Sequence, residues 1–490
     1  MNLNGRRSCR LEKGSPDPSS RSFGGASTQP GVFPGVRGSI GEEPVAGELW
    51  TASGFPEAVD GRGPFLFPPP EQCRDSSSAI REGHSLNLVV LQSISRTPER
   101  GPGGGGQVSL VIRMTNWATQ SDVSVWSLAN ELDFSHARLP PSCRRVTIPT
   151  LGIRDSAGII PFAVETLLSF FVQRQSLRRF CRAHRWLSPT STVLIAASVY
   201  PTEILAVSYL RHKTRAPAAA YVHHIAPPPW FYPTRRGPLL RVVINWAYAQ
   251  FSLVLMKIFE IHPLVQDEIL RPTGWRFAGS KAVVHPATME VPAGSLPAWQ
   301  DRPIAACYVG RIQEAKGILD LVRAWPRVVL RRPGARLVIA GRAGGPQPLG
   351  RLLEFVRKEG LSDVVEVRGA VTEEEKIRLL ESSKLLVLPS YEEGWSLSAM
   401  EAATRGAVPV LYNLPAFSYL GARCVRVPVG DIPALADAIV SALETRAPSE
   451  GISSEEIRGW LSRYSPSVVA GEELEFFRTL TNGQKGVDRD

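Results

Sequence analysis

From Leu86 onward, short apolar runs alternate with longer segments in which apolar residues recur every three or four positions. LNLVVLQSI, beginning at Leu86, is the kind of run that forms a strand buried on both faces of a sheet. A Gly-rich segment (Gly101 to Gly106) follows, and the pattern then predicts a helix from Val108, a strand over Val123–Leu128 and a long helix over Phe162–Trp186. A strand over Thr192–Ser198, a helix over Glu203–His212 and a strand over Ala218–Ile225 come next. After a Pro-rich loop (Pro227 to Trp230) and a mostly apolar helix, the pattern restarts. Strands are predicted at Ile304–Ile312, Ala335–Gly341, Val364–Gly369, Lys384–Ser390, Ala407–Tyr412 and Cys424–Val429, with helices opening at Gly317, Leu349, Thr372, Leu397 and Ile432. Such alternation predicts parallel α/β sheets, and two units in tandem predict a ligand cleft between two lobes.

The expected fold class is therefore α/β, two Rossmann-like β/α/β domains facing across a cleft. The expected boundaries are an extension over 1–84, an N-terminal domain over 85–285, a C-terminal domain over 286–450 and a helical tail over 451–490 that could pack back across the lobes.

Composition changes the picture first at the N-terminus. Residues 1–84 hold 13 Gly, 10 Pro and 11 Ser with no sustained period, so they cannot bury enough apolar surface to offset their ordering entropy. They are expected to be disordered, either as a regulatory tail or as part of an over-long reading frame. Charge then separates the lobes: the net +10 resolves into 21 Lys+Arg against 10 Asp+Glu over residues 85–280, and 26 against 26 over residues 281–490. Six widely spaced cysteines without a CxxC suggest neither a zinc site nor a disulfide scaffold, and a reducing cytoplasm is the simplest setting. The start, MNLNGRRSCR, is not followed by a continuous apolar stretch, which argues against a secretory signal. Val242 to Met256 is free of charge for 15 residues, short for a membrane span, and is expected to be a buried helix.

Candidate chemistry concentrates in the second unit. Gly310-Arg311 closes its first strand, and Glu314-Ala315-Lys316-Gly317 precedes the next helix. A strand end, a Gly and two cations beside a helix N-terminus suit a diphosphate; the plainer reading is a surface Arg and Lys flanking an ordinary turn. Further on, PSYEEGWSLSAMEA places Glu393 at the end of a strand-to-helix loop and Glu401 eight residues later in the helix. The turn at Gly394, Trp395 and Ser396 leaves backbone N–H groups for phosphate or sugar oxygens, and the carboxylates can accept from sugar hydroxyls. The alternative is a solvated helix start with favourable macrodipole charges.

GRIQEAKG, ARLVIAG, VVEVRGAVTEEE, LLVLPSYEEGWSLSAMEAATRGAVPV and VPVGDIPALADAI occur in the order seen in family 4 retaining glycosyltransferases of the GT-B fold, which the chain resembles strongly over about residues 304–445 and weakly before them. The resemblance implies that Arg311 and Lys316 bind the donor diphosphate, Glu393 the donor sugar with Gly394, Trp395 and Ser396 near its phosphate, and Glu401 the ribose hydroxyls. It implies no cofactor and no metal. The N-terminal domain would then hold the acceptor. Gly105-Gly106 stands in the place of the family's Gly-Gly loop, and a plain flexible loop is an equal reading. His223 stands where the family often has a His facing the donor sugar; His224, where an Asp is common, is the other candidate, and a structural His bonded to backbone is a third reading. VVHPATME (Val283 to Glu290) departs from the family's Asn-Gly-Val-Asp segment, and Ser396 stands where Gly or Pro is frequent.

The surplus of positive charge is densest in FFVQRQSLRRFCRAHRW. Arg174, Arg178, Arg182 and Arg185 share one helical face beside Arg179, while Phe170, Phe171, Leu177, Phe180 and Trp186 supply apolar surface. Such a helix reads either as a contact for an anionic membrane surface or as an ordinary packed helix with a solvated face. The function expected is transfer of a sugar from a nucleotide sugar to a hydroxyl of a glycan or lipid-linked acceptor. The expected setting is cytoplasmic, or peripheral on the inner face of the membrane, with no nucleic-acid partner. The competing readings are an epimerase or phosphorylase on the same fold and a non-catalytic nucleotide-sugar-binding protein.

Overall fold

The computed structural model describes residues 86–92, 105–129, 139–149, 159–231, 239–265, 274–277, 296–343, 346–445 and 454–487. The expected extension over 1–84 and the VVHPATME segment lie outside them.

Two six-stranded sheets, all parallel, organise the chain. The first contains β1 (Leu86–Leu91), β2 (Val123–Ala129), β3 (Arg144–Thr147), β4 (Thr192–Ala196), β5 (Ala218–Tyr221) and β6 (His262–Leu264) in the order β3-β2-β1-β4-β5-β6. The second contains β7 (Ile304–Val309), β8 (Leu337–Ala340), β9 (Val365–Gly369), β10 (Ser383–Leu388), β11 (Val408–Tyr412) and β12 (Val425–Val427) in the order β9-β8-β7-β10-β11-β12. Both follow the same winding, so each reverses direction beside its first strand, between β1 and β4 and between β7 and β10. At such a switch point the connections leave to opposite sides and open a crevice at the carboxyl ends of the strands.

The central strands are runs of Leu, Val, Ile and Ala because helices cover both faces. Three apolar cores result. One surrounds the second sheet, and one lies on each face of the first. Helix α1 (Gly105–Trp117) packs on one face of the first sheet, while α2 (Ile159–Ala183), α3 (Pro201–Thr214) and α4 (Leu239–Ile258) pack on the other. The second sheet carries α5 (Ile318–Arg331), α6 (Pro346–Lys358), α7 (Glu373–Ser382), α8 (Leu397–Thr404) and α9 (Ile432–Glu444). Thr372 caps α7 reciprocally, its Oγ1 accepting from Glu375 N at 3.2 Å while the Glu375 carboxylate accepts from Thr372 N at 2.7 Å.

The tail forms two helices, α10 (Ser454–Ser462) and α11 (Pro466–Val487). Trp460, Leu461 and Tyr464 enter the core of the second sheet, whereas Ala470, Leu474 and Phe477 enter a core of the first. The tail thus returns to the N-terminal lobe, against α1. A buried polar cluster holds it there. Glu473 accepts from Arg113 Nε at 2.8 Å and from the Tyr221 hydroxyl at 2.9 Å, with both members of the ion pair 1% exposed.

Three expectations are corrected. Gly105 and Gly106 do not lie in a loop; they form the first turn of α1, which opens before Val108. β3 and β6 escape the apolar pattern, since RRVT is charged and HPL only three residues long. The segment Val242 to Met256 is a helix but not a buried one. Val242, Leu253, Leu255 and Met256 face inward, while Val243, Phe251 and Val254 are exposed. An uncharged run fixes solubility in an apolar phase, not the face that the sheet covers.

Candidate active site

The carboxyl ends of β7 and β10 bring Lys316 and Glu393 of the second lobe together. β7 runs out at Val309, and Gly310 lies against the Tyr308 side chain, whose hydroxyl donates to the Arg311 carbonyl at 2.7 Å. The Arg311 side chain is exposed, with no ion pair among the described residues. Lys316 ends a short 3-10 turn and Gly317 follows with φ 66°. A Cβ at Gly317 would fall 1.8 Å from the Pro389 carbonyl oxygen, so only Gly lets this turn press against the loop after β10. That contact brings Lys316 to the loop after β10. Its Nζ lies 2.8 Å from Glu393 Oε1 and donates to the Glu392 carbonyl at 3.2 Å.

The same oxygen, Glu393 Oε1, also accepts from Ser390 Oγ at 2.9 Å. Beneath the loop, the buried Asp320 of α5 accepts from the hydroxyls of Tyr391 and Tyr412 and pairs with Arg323 at 3.2 Å. A carboxylate this deeply buried is tolerated because its oxygens have donors, and it ties the loop to α5 and β11. Trp395 stacks on Tyr419 with ring centroids 3.6 Å apart, and Tyr419 donates to the Ser396 carbonyl at 2.9 Å. Ser396 is the N-cap of α8, its Oγ accepting from Ala399 N at 3.3 Å. The Ser396 at this position, where the resembled family frequently has Gly or Pro, therefore has a local capping role.

Glu401 lies on α8. One oxygen, Oε1, is paired with Lys376 Nζ at 2.8 Å, and Oε2 is buried with no hydrogen-bond partner among the described residues. Lys376 also reaches Glu373 at 2.8 Å. Burial lowers the affinity of the Lys376 ammonium for its proton, but the Glu401 and Glu373 carboxylates outweigh it and the pKa rises. The motif reading missed Lys376. It sits in TEEEKIRLL, a charged helix start that gives no sign of which cation turns inward.

From the first lobe, the segment after β5 meets this loop directly. A Cβ on Gly394 would fall 1.5 Å from the His223 carbonyl oxygen and 3.1 Å from His224 Cα. His223 and Gly394, chosen for separate reasons, are thus in backbone contact. The His223 ring stacks on Tyr221 with centroids 5.7 Å apart and planes 6° from parallel, and Nε2 lies 2.9 Å from the Ala197 carbonyl. A carbonyl only accepts, so the Nε2–H donates and Nδ1 is the acceptor nitrogen. This bond matches the third reading of His223, a His bonded to backbone, and leaves one ring nitrogen for other work. Gly105 and Gly106 open α1 after β1, where the first N–H groups of a helix lack intrahelical partners.

Burial, reinforced by the nearby Arg113, lowers the His223 imidazole from 6.5 to about 4. The folded value lies below the ordinary one, so stability linked to the neutral ring is complete above about pH 6.5 and is lost as pH falls towards 4. A titration of the ring nitrogens by NMR should show His223 neutral from about pH 8 to about pH 5. A midpoint at or above the ordinary value would show that the ring is not enclosed in this way.

The profile described as "Glycosyl transferases group 1" matches residues 303–445. The chain is 32% identical over 189 residues to a glycogen synthase of Mycobacterium tuberculosis, covering 37% of this chain and 44% of the relative. It is 26% identical over 172 residues to the GDP-mannose:cellobiosyl-diphosphopolyprenol alpha-mannosyltransferase of Xanthomonas campestris, covering 34% and 45%. In both cases the match spans less than half the length of the relative. Among solved structures, the HepE protein of Anabaena in complex with UDP aligns with a TM-score of 0.57 at 15% identity, over 80% of this chain and 100% of that one. That likeness extends over both sheets, as the GT-B fold requires. Residues 303–445 of this chain therefore match the glycosyl transferases group 1 family, within a chain of GT-B fold.

Proposed function

We propose that the chain is a retaining glycosyltransferase of family 4, transferring a sugar from a nucleotide sugar to a hydroxyl of a glycan or lipid-linked acceptor. The observation that carries this reading is the convergence of Lys316, Glu393 and Gly394 at the carboxyl end of β10, with His223 against Gly394. Arg311 and Lys316 meet the donor diphosphate, and with the N-terminus of α8 they offset the charge that develops on the departing group. Glu401 Oε2 accepts from a ribose hydroxyl. Glu393, fixed by Lys316 and Ser390, accepts from hydroxyls of the sugar. His223 Nδ1, on a ring that stays neutral, accepts from a sugar hydroxyl in the same cleft. In the retaining route the leaving phosphate oxygen takes the proton of the acceptor hydroxyl on the face it vacates, so no carboxylate base is required from the first lobe. The cations of this site stand in for a metal, and turnover should survive chelation. The excess of cations in the first lobe supports a cytoplasmic setting beside the membrane, where a lipid-linked acceptor would be met.

The relatives named above include a GDP-mannose enzyme, and HepE was solved with UDP. The test is release of nucleotide by the full chain from a panel of UDP, GDP and ADP sugars. Lys316→Ala is expected to weaken binding of the released nucleoside diphosphate about tenfold, the value of one charge-assisted contact. Glu401→Ala should weaken it to a similar degree. The assignment fails if no donor is bound or cleaved, or if both variants match the wild type.

A further inference from the structure

Helix α4 has two apolar faces, and the protein uses one. Its inner residues Leu253, Leu255 and Met256 belong to the core shared with α2 and α3. On the outside, Leu240, Val243, Ala247, Phe251, Val254 and Ile258 are exposed and spaced three or four apart, which lines them up along one side of the helix for about 27 Å. Exposed apolar surface of this extent on a described face calls for a partner. The helix is long and apolar enough to cross a bilayer, but it is the crossover between β5 and β6, neighbours in one sheet, and its inner face is committed to the core. It can lie on a membrane and cannot span one.

What surrounds the stripe identifies the partner. Trp230, 76% exposed, stands beside Trp246 of α4 with ring centroids 6.1 Å apart. Helix α2, which touches α4, exposes Leu168, Phe171 and Val172 and then Arg174, Arg178, Arg179 and Arg182; Arg185, expected on the same helical face, is exposed in the turn after the helix ends at Ala183. From Ile159, where α2 opens, to Ile258 the chain carries 12 Lys+Arg and two acidic residues, Glu165 of α2 and Glu203, which is 1% exposed and bonded to Ser198. The exposed Glu260 just beyond α4 is already paired with Arg211 at 2.7 Å. Apolar side chains, tryptophans and a border with many more cations than acids are what an anionic headgroup layer accepts. A second copy would bring the same arginines towards one another. We propose that the outer face of α4, with Trp230 and the arginine run of α2, docks on an anionic lipid bilayer and lies in its interface.

The arginine run alone was the sequence-level candidate; α4 supplies the apolar half that makes docking more than electrostatic. Vesicle binding and nucleotide release are separate measurements, so this surface and the donor site stand or fall independently. The full chain should co-sediment with vesicles of phosphatidylcholine and phosphatidylglycerol (about 7:3) and not with phosphatidylcholine alone, and part of that binding should persist in high salt. The double variant Phe251→Asp/Val254→Asp should lower partitioning on the order of tenfold. Arg178→Glu/Arg182→Glu should remove mainly the salt-sensitive part. Brominated acyl chains should quench tryptophan emission of the unmodified protein, and less of it after Trp230→Phe, a readout independent of whether the aspartates disturb folding. Absence of binding, binding unchanged in the α4 variant together with no quenching, or a dimer in light scattering that the α4 variant dissolves would each overturn the proposal.

Discussion

Gly394→Ala is expected to lower the catalytic efficiency of nucleotide-sugar turnover by about a hundredfold or more while leaving each lobe folded. The argument is steric. Gly394 does not require a left-handed backbone, so alanine is acceptable locally, but its Cβ would sit 1.5 Å from the His223 carbonyl oxygen. Real atoms in that relation separate by well over 1 Å. The neighbour is backbone, followed by a second backbone atom, His224 Cα, at 3.1 Å, so no side chain can swing aside. Either the segment after β5 or the loop Pro389 to Ser396 must move. That loop carries Glu393, which holds Lys316, and it leads into α8, which carries Glu401. A displacement of this size in groups proposed to meet a diphosphate, a sugar and a ribose together is the kind that costs about two orders of magnitude in rate. The contact joins the lobes rather than filling either core, so the thermal midpoint should change little. Steady-state rates and a melting curve on the same preparation decide it, and a variant with at least half the wild-type efficiency would sink the claim that the two lobes must touch here.

Gly394 also shows what the sequence leaves hidden. Its place in a strand-to-helix turn, beside Ser396 and Glu393, was legible because such turns expose N–H groups at a helix start. Its contact with residue 223 joins positions far apart in the chain, and no local pattern carries that information. The same distinction runs through the fold. β7, β8, β10 and β11 announce themselves because strands covered on both faces must be apolar throughout. β3 and β6 sit at the two edges of the first sheet, where one side has no neighbouring strand, and Arg144-Arg145 and the three-residue HPL are permitted there. For α4, hydropathy announced an apolar helix and was silent about which side the sheet would cover. For Lys376, the helix pattern was correct and the inward turn of one charged side chain towards Glu401 was not encoded in it. The capping role of Ser396 was likewise open to a reader of the motif, since a Ser before LSAMEA satisfies the N-cap preference without any appeal to ligand.

Glu473→Ala should destabilise the protein by about 3–5 kcal/mol, the range seen when one member of a buried ion pair is removed. Glu473 and Arg113 are each 1% exposed, and Glu473 also receives the Tyr221 hydroxyl, so the truncation leaves a buried guanidinium without its carboxylate and a buried phenol without its acceptor. Burial pushes the Glu473 carboxyl up, while Arg113 and the hydrogen bond from Tyr221 pull it back. Ser109 Oγ, which accepts from Arg113 at 2.5 Å, remains but carries no charge. The cluster links α11 to α1 and β5, and Tyr221 underlies the His223 ring, so its loss should be felt at the site as well as in the melt. Two consequences separate this account from ordinary cavity formation. The double variant Arg113→Leu/Glu473→Leu should be more stable than Glu473→Ala alone, because the cost lies chiefly in a buried charge that has lost its carboxylate. In addition, Phe477→Leu, which trims the same helix against Trp117 without exposing a charge, should cost only about 1 kcal/mol. Urea midpoints for the three proteins measure the order directly. If the double variant proves the least stable of the three, the pair contributes through packing, and the return of the tail to the N-terminal lobe rests on Ala470, Leu474 and Phe477 instead.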